Sequence, residues 1–384
     1  MSIKVLHLID SAGLYGAEKM LLTLVAEQRK KGLSPLILSA GASEMGEKAI
    51  ESEAKRLGLP VLSWRMKPGL NLKQSLKVCQ WARQDGFQIL HSHGYKFNIL
   101  LGILPRFVRD VPLITTLHGY VNAPRWSKMW LYEKLDQRLL PRMDKVCVVS
   151  AHMKEQPALS RVVPEKLVVV ENGLGTEANL SSPPARLPAT SSECFKILAV
   201  GRLSREKNFA ALITALASDN LRKKNMELFI VGEGPLLPEL EQLTRKYSIS
   251  KKVHFLGYRK DVTTLMREAS LLAMPSLTEG LPVTLLEAMR CQLPVVASSV
   301  GGIPKALAHG EAGILIKPGS HQSLTNILER IVSGEIDLGS LAQRARERFE
   351  QHYSAESMES QYMGLYECLI KSDSTRQRIG ESES

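Results

Sequence analysis

The sequence predicts an α/β chain built from two doubly wound parallel-sheet domains. Three observations carry that prediction. Short, nearly unbroken apolar runs alternate with longer amphipathic stretches; a Ser/Pro/Ala/Thr-rich break interrupts them near the middle; and the same alternation then restarts. A length of 384 residues is too great for one ordinary core and suits two.

The first half supplies IKVLHLI (3–9), SPLILSA (34–40), LPVLSWR (59–65), FQILHSH (87–93), VPLITTLHG (111–119), KVCVVSA (145–151) and KLVVVENG (166–173) as strands. Their aliphatic content is that of strands covered on both faces, and helical stretches such as 17-AEKMLLTLVAEQRKKG-32 lie between several of them. Residues 176–194 hold few large apolar side chains and read as a linker. Beyond it FKILAVG (195–201), MELFIVGEG (226–234), KVHFLGY (252–258), LLAMPS (271–276), LPVVASS (293–299) and AGILIKPG (312–319) repeat the strand pattern. The expected domains are therefore 1–175 and 195–354. Residues 340–371 read as helix with a break near Tyr353 and Ser354, and the polar tail at 372–384 is expected to be disordered.

Composition narrows the class. Hydrophobic residues make up 44% and charged residues 23%, which is ordinary for a globular chain and excludes a disordered one. Five scattered cysteines without metal spacing fit a reducing compartment. MSIKVLHLID shows no signal-peptide pattern and no apolar run approaches a spanning helix, so the expected location is cytoplasmic. The net charge of +11 is uneven: residues 1–180 hold 25 Lys+Arg against 16 Asp+Glu, leaving 25 against 23 for the rest. A basic first domain attracts polyanions or anionic membrane. The stretch 124-PRWSKMWLYEKLDQRLLPRMDK-145, which holds Arg125, adds aromatics to that charge, as a peripheral site at the inner face of a membrane would; inward packing of the aromatics explains it equally. No nucleic-acid-binding signature accompanies the charge, so no nucleic acid is expected.

Chemistry should lie at the C-terminal ends of the strands, where doubly wound sheets bind ligands. In 275-PSLTEGLPVTLLEAM-289, Glu279 stands in a Gly/Pro turn and Glu287 follows eight positions later on a helix that begins near Pro282, placed at about N1. Helical side chains lean toward the N-terminus, so the two carboxylates can flank the helix mouth and its backbone N–H groups. Donors for phosphate beside acceptors for hydroxyls suit a nucleotide-sugar. On these two residues alone the plainer reading, a dipole complement and a solvated turn, is the stronger.

In 197-ILAVGRLSREKNF-209 the strand ends at Gly201, and Arg202 and Lys207 follow in a loop suited to a diphosphate. A Gly-containing loop, 10-DSAGLYGAEKM-20, leads into a helix at Gly16 and Ala17 without dinucleotide spacing. Alternation puts His91 and His93 on one strand face, and His118 ends another strand. A metal site could be made from H-x-H and a third histidine, but no Asp, Glu or Cys completes it and none is expected.

Taken together, GRLSREKN, the E-x7-E pair Glu279/Glu287, 294-PVVASSVGGIP-304 and 115-TTLHGY-120 resemble, in order and over nearly the whole chain, the family 4 retaining glycosyltransferases. The resemblance implies the GT-B fold: two Rossmann-like domains facing across a cleft, with the last helix, about 355–371, returning to the first domain. It implies transfer of a sugar from a UDP- or GDP-linked donor to an acceptor hydroxyl with retention of configuration, with no cofactor and no bound metal. The acceptor would be a lipid-linked or cell-surface glycan intermediate of polysaccharide or glycolipid synthesis. Arg202 and Lys207 would hold the diphosphate, Glu287 the ribose and Glu279 the sugar hydroxyls. Gly201, Gly280, Leu281 and Val283 would line the donor, Gly16 and Ala17 would approach its phosphates, and His118 would sit near the anomeric carbon. His93, Tyr95 and Arg125 fall on the acceptor side. Lys305, Gln292, Gly175 and Pro282 depart from the usual pattern without removing a principal position. An inactive binding protein and a nucleotide-sugar epimerase are the alternatives.

Overall fold

The computed structural model describes residues 2–382 except 12, 15, 68, 70, 119–125, 176–186, 189, 190 and 192. Arg125 and most of the expected linker thus lie outside the described residues. The chain divides into two compact units, one of residues 1–175 with 354–384 and one of residues 176–353.

The first unit is a parallel sheet of β1 (Lys4–Ile9), β2 (Ser34–Ala42), β3 (Val61–Met66), β4 (Ile89–Ser92), β5 (Leu113–Leu117), β6 (Lys145–Val148) and β7 (Leu167–Val169), in the order β3-β2-β1-β4-β5-β6-β7. Its helices are α1 (Gly16–Lys30), α2 (Ala49–Arg56), α3 (Leu72–Gln84), α4 (Tyr95–Gly102), α5 (Arg106–Arg109) and α6 (Lys128–Leu139). The second unit is a parallel sheet of β8 (Phe195–Val200), β9 (Met226–Val231), β10 (Val253–Phe255), β11 (Leu271–Met274), β12 (Val295–Ser298) and β13 (Ile314–Ile316), ordered β10-β9-β8-β11-β12-β13. Its helices are α7 (Phe209–Leu216), α8 (Leu237–Lys246), α9 (Val262–Glu268), α10 (Val283–Arg290), α11 (Ile303–Ala306), α12 (His321–Val332) and α13 (Leu338–Arg348).

All six residues of β9 and all five of β5 are buried, which is why these runs show no alternation. Each fully buried aliphatic side chain contributes about 1.5–3 kcal/mol of transfer free energy, so such strands anchor their sheets. In each sheet the chain winds outward from its first strand, then crosses back and continues on the other side. The reversals fall between β1 and β4 and between β8 and β11, and each opens a crevice beyond the strand ends.

The last helix, α14 (Ala355–Ser382), packs on the first unit. Met358, Tyr362, Tyr366 and Leu369, at helical spacing, join Val5, Leu24, Ile89 and Ile114 in one buried cluster. The expected break stands: a π-helical turn at Phe349–Tyr353 ends the second unit, and Ser354 bridges to Leu174. The tail expected to be disordered, 372–384, carries helical backbone as far as Ser382. Asp373 is tied to Arg106 of α5 at 2.5 Å, and beyond that anchor each added residue extends a helix already nucleated. Composition measures what a segment can bury, not whether it prolongs a neighbour's helix.

Candidate functional site

In the second unit the two loops that meet at the β8/β11 reversal are bonded to each other. Lys207 Nζ lies 2.5 Å from Glu279 Oε1, and Ser276 Oγ donates to the same oxygen at 2.7 Å. Leu277 N donates to Glu206 O at 2.8 Å, and Asn208 Nδ2 to Pro275 O at 3.2 Å. Asn208 can do so because it takes a left-handed conformation (φ 53°) between the 3-10 turn Arg205–Lys207 and α7. Thus Lys207 and Glu279, 72 residues apart, share one half-buried ion pair at the strand ends. Such a pair adds little to stability. Its consequence is chemical: a cation and a carboxylate stand together where an anionic, hydroxyl-bearing ligand would need both.

A third loop braces Glu279 from behind. Gly301 has φ +55°, and a Cβ there would lie 2.0 Å from Glu279 O; Gly302 N donates to Gly280 O at 2.8 Å. The Gly-Gly of VGGIP is therefore the floor of the Glu279 turn. Arg202 is exposed beside this site, and Gly201 lies under the Lys207 stem, 3.2 Å from its Cε to a Cβ built at Gly201. Gly280 is exposed, Leu281 half-buried, and Val283 half-exposed at the start of α10. Glu287 is half-buried one turn further along the same helix.

Pro282, expected near N1, is the N-cap, with φ −70° and ψ 129°. No side-chain hydrogen bond caps α10 and its first turn holds no acidic residue, so the positive end of the helix dipole is uncompensated by its own first turn. Gln292 takes φ 54° just past the helix end, doing a glycine's work there. Lys305 is exposed on α11, whose backbone Arg348 Nη2 holds at 2.7 Å.

In the first unit, α1 opens with Gly16 and Ala17, and nothing approaches a Cβ built at Gly16 within 4 Å. Tyr95 opens α4, directly after His93 and the N-cap Gly94. Asp10, next after β1, is gripped by Lys48 Nζ at 2.5 Å and Lys96 Nζ at 2.7 Å. Burial pushes its carboxyl up, but these two ammonium groups outweigh burial and hold it below the usual range. Its members, the residue after β1, the residue before α2 and the second residue of α4, are too far apart in sequence for a local pattern to link them.

The histidines form a buried cluster. His7 on β1 pairs in register with His91 on β4, and His7, His91 and His93 bring ligand nitrogens within 4.8 Å of one another. His7, not His118, is the third member of that triangle. The sequence signal for it was a histidine in the apolar strand IKVLHLI, whose register against β4 no local pattern reveals. Five of the six ring nitrogens already have protein partners. His7 meets His93 (3.0 Å) and Gln28 (2.8 Å), and His91 meets Tyr366 (2.7 Å) and Thr116 (2.8 Å). This set is built as a hydrogen-bonded network rather than as an ion's cage. Burial lowers His7 and His118 to about 4 and His91 and His93 well below the ordinary value, so all four rings are neutral. His118 stacks on His93, ring centroids 5.9 Å apart.

Comparison with known proteins gives two family matches, Glycosyltransferase Family 4 over residues 15–178 and Glycosyl transferases group 1 over residues 189–348. The chain is 26% identical to the N-acetyl-α-D-glucosaminyl L-malate synthase of Bacillus anthracis, over 80% of this chain and 81% of that one. It is 23% identical to the UDP-Gal:α-D-GlcNAc-diphosphoundecaprenol α-1,3-galactosyltransferase of Escherichia coli, over 75% and 77%. Among solved structures, the Anabaena protein HepE in complex with UDP superposes with a TM-score of 0.73 at 23% identity, covering 95% of this chain and 100% of that one.

Proposed function

From its place among the family 4 glycosyltransferases, to which this chain belongs and whose GT-B fold it has, we propose retaining transfer of a sugar from a UDP- or GDP-linked donor to a glycan or lipid-linked hydroxyl. The chain is a glycosyltransferase, and the observation that carries the finer reading is the Lys207–Glu279 pair at the β8/β11 reversal. A diphosphate arriving there competes with Glu279 for Lys207. Once Lys207 turns to phosphate, the Glu279 carboxylate is released to accept sugar hydroxyls, still held by Ser276 and backed by Gly301 and Gly302.

In this reading Arg202, Lys207 and the uncapped start of α10 stabilise charge on the leaving diphosphate, which needs no metal. Glu287 holds the ribose. The first unit contributes His118 to the sugar and Gly16 and Ala17 to the phosphates, with His93 and Tyr95 toward the acceptor. The acceptor oxygen bonds to the anomeric carbon on the face the diphosphate leaves, and its proton passes to the departing phosphate oxygen. No side-chain nucleophile is used. A peripheral contact with anionic membrane is part of the proposal. Trp126 (86% exposed) just before α6 and Leu131 (63%) on it share that segment with exposed Lys134 and Arg138, although no described helix is long and apolar enough to cross a bilayer.

The test is a panel of UDP- and GDP-sugars with EDTA present, with and without anionic vesicles carrying lipid extract, following nucleotide release and the product's anomeric configuration. We expect release from one donor, a retained anomer, and faster turnover with the vesicles. Lys207→Ala should lose about 10²–10³ in kcat, and Glu287→Ala should raise the donor KM. Sugar interconversion without release, an inverted anomer, or a requirement for metal would overturn the corresponding part.

A further inference from the structure

The buried histidines belong to a hydrogen-bonded chain that runs from the last helix to His93. Gln28 of α1 sits between His7 and Tyr366 of α14: its Oε1 faces His7 Nε2 at 2.8 Å and its Nε2 donates to Tyr366 Oη at 3.3 Å. That orientation fixes every proton in the cluster. An amide oxygen only accepts, so His7 carries its proton on Nε2 and is bare on Nδ1. His7 Nδ1, 3.0 Å from His93 Nε2, must then accept, so His93 is protonated on Nε2 and bare on Nδ1. On the other branch Tyr366 accepts from Gln28 and donates to His91 Nδ1 at 2.7 Å. His91 therefore donates from Nε2 to Thr116 Oγ1 at 2.8 Å, and Thr116 meets Tyr362 Oη at 2.7 Å.

The chain ends at His93. That residue is only 6% exposed, its Nδ1 has no protein partner among the described residues, and its ring lies on that of His118, whose buried Nε2 is likewise unpartnered. We infer that Gln28 and Tyr366 are positioning residues for the active-site histidine pair, holding His93, whose ring stacks on that of His118, as the tautomer with a lone pair, not a proton, on Nδ1. Turning the Gln28 amide over would reverse every donor in the chain and put a proton on that nitrogen. Tyr366 opposes this, because a turned amide would offer it an acceptor oxygen and the whole Tyr366–His91–Thr116 branch would have to reverse at the same time. The last helix thereby sets a hydrogen-bonding sign two strands away.

Imidazole ¹⁵N spectra of the full chain read this directly, without any assay. In the wild type, His7, His91 and His93 should each show a protonated Nε2 and a bare Nδ1. Tyr366→Phe frees the Gln28 amide and should move the His93 nitrogen shifts toward the average of the two tautomers. Gln28→Met breaks the same joint from its other side and should do likewise. Tyr362→Phe removes a hydroxyl from the same helix that bonds Thr116 and not Gln28, keeps the ring on His91, and should leave His93 unchanged. In turnover, Tyr366→Phe should lower kcat about tenfold relative to Tyr362→Phe, the low end for losing a group that orients a functional imidazole, with the donor KM little changed. A wild-type His93 protonated on Nδ1, or indistinguishable His93 spectra in the two tyrosine variants, overturns the assignment. The kinetic arm rests on the glycosyltransferase reading and the spectral arm does not, so failure of one is distinguishable from failure of the other.

Discussion

Gly301 and Gly280 touch across the site, yet only one of them needs to be glycine. Gly301 has φ +55° and its missing Cβ would lie 2.0 Å from the Glu279 carbonyl oxygen, a backbone atom that cannot step aside without moving Glu279. Gly280 has nothing within 4 Å of a built Cβ and no positive φ. Gly301→Ala should therefore cost about 2 kcal/mol in urea unfolding and raise the donor KM, because the strain is relieved by shifting the Glu279 turn. Gly280→Ala should leave stability within about 0.5 kcal/mol of the parent. Equal costs for the two would mean that the floor beneath Glu279 is not what VGGIP supplies. The sequence marked Glu279, Lys207 and VGGIP as neighbours in a motif, whereas the bracing of one by another shows only when three strand ends are brought together.

At the scale of an element, α10 shows how local rules bend at a working end. Its C-terminus closes with Cys291 N on Glu287 O, Gln292 N on Met289 O and Leu293 N on Ala288 O, which requires a left-handed residue at 292. Glutamine fills that place with φ 54° and ties its side chain to Gln343 at 2.8 Å. An exposed side-chain bond returns less than the left-handed strain costs, so Gln292→Gly should stabilise the protein by about 1 kcal/mol, read as a rise in Tm with donor KM unchanged. A destabilised variant would show that the Gln343 bond dominates.

The same scale shows what was legible. Each strand run read from apolar continuity became a strand of the same sheet set, with bounds shifted by up to a few residues, because burial on both faces writes itself into consecutive residues. Pro282 could be placed only near N1, since proline's fixed φ suits N-cap and N1 alike. The helical run to Ser382 was hidden by polar composition, and His7 by its register against a strand more than eighty residues away. Local pattern carries elements; pairing across the sheet carries the network.

For the whole molecule, the two units should differ in their response to acid. His7 is fully buried; burial lowers it to about 4 from an ordinary 6.5, partly opposed by its bond to Gln28. The unfolded chain therefore binds more protons than the folded one between those values. Stability is complete above pH 6.5 and is lost as pH falls through the unfolded value toward the folded one. At pH 5 this single group costs about 2 kcal/mol, and His91, His93 and His118 act in the same direction. All four belong to the first unit. The shifted groups of the second unit behave otherwise. Asp261, held down first by its bond to Arg259, and Glu335, held down first by Ser333, lie below the ordinary carboxylate range, so their contributions fade only below about pH 4.5. Between pH 6.5 and 4.5 the first unit should loosen while the second holds, and unfolding should depart from two-state behaviour. Hydrogen-exchange protection factors, corrected for intrinsic rates, should fall at pH 5 in Lys4–Ile9, Ile89–Ser92 and the α14 segment 355–373, and stay level in Phe195–Val200 and Met226–Val231. Protection lost together in both sheets, or in neither, would refute the assignment of the acid response to the buried imidazoles.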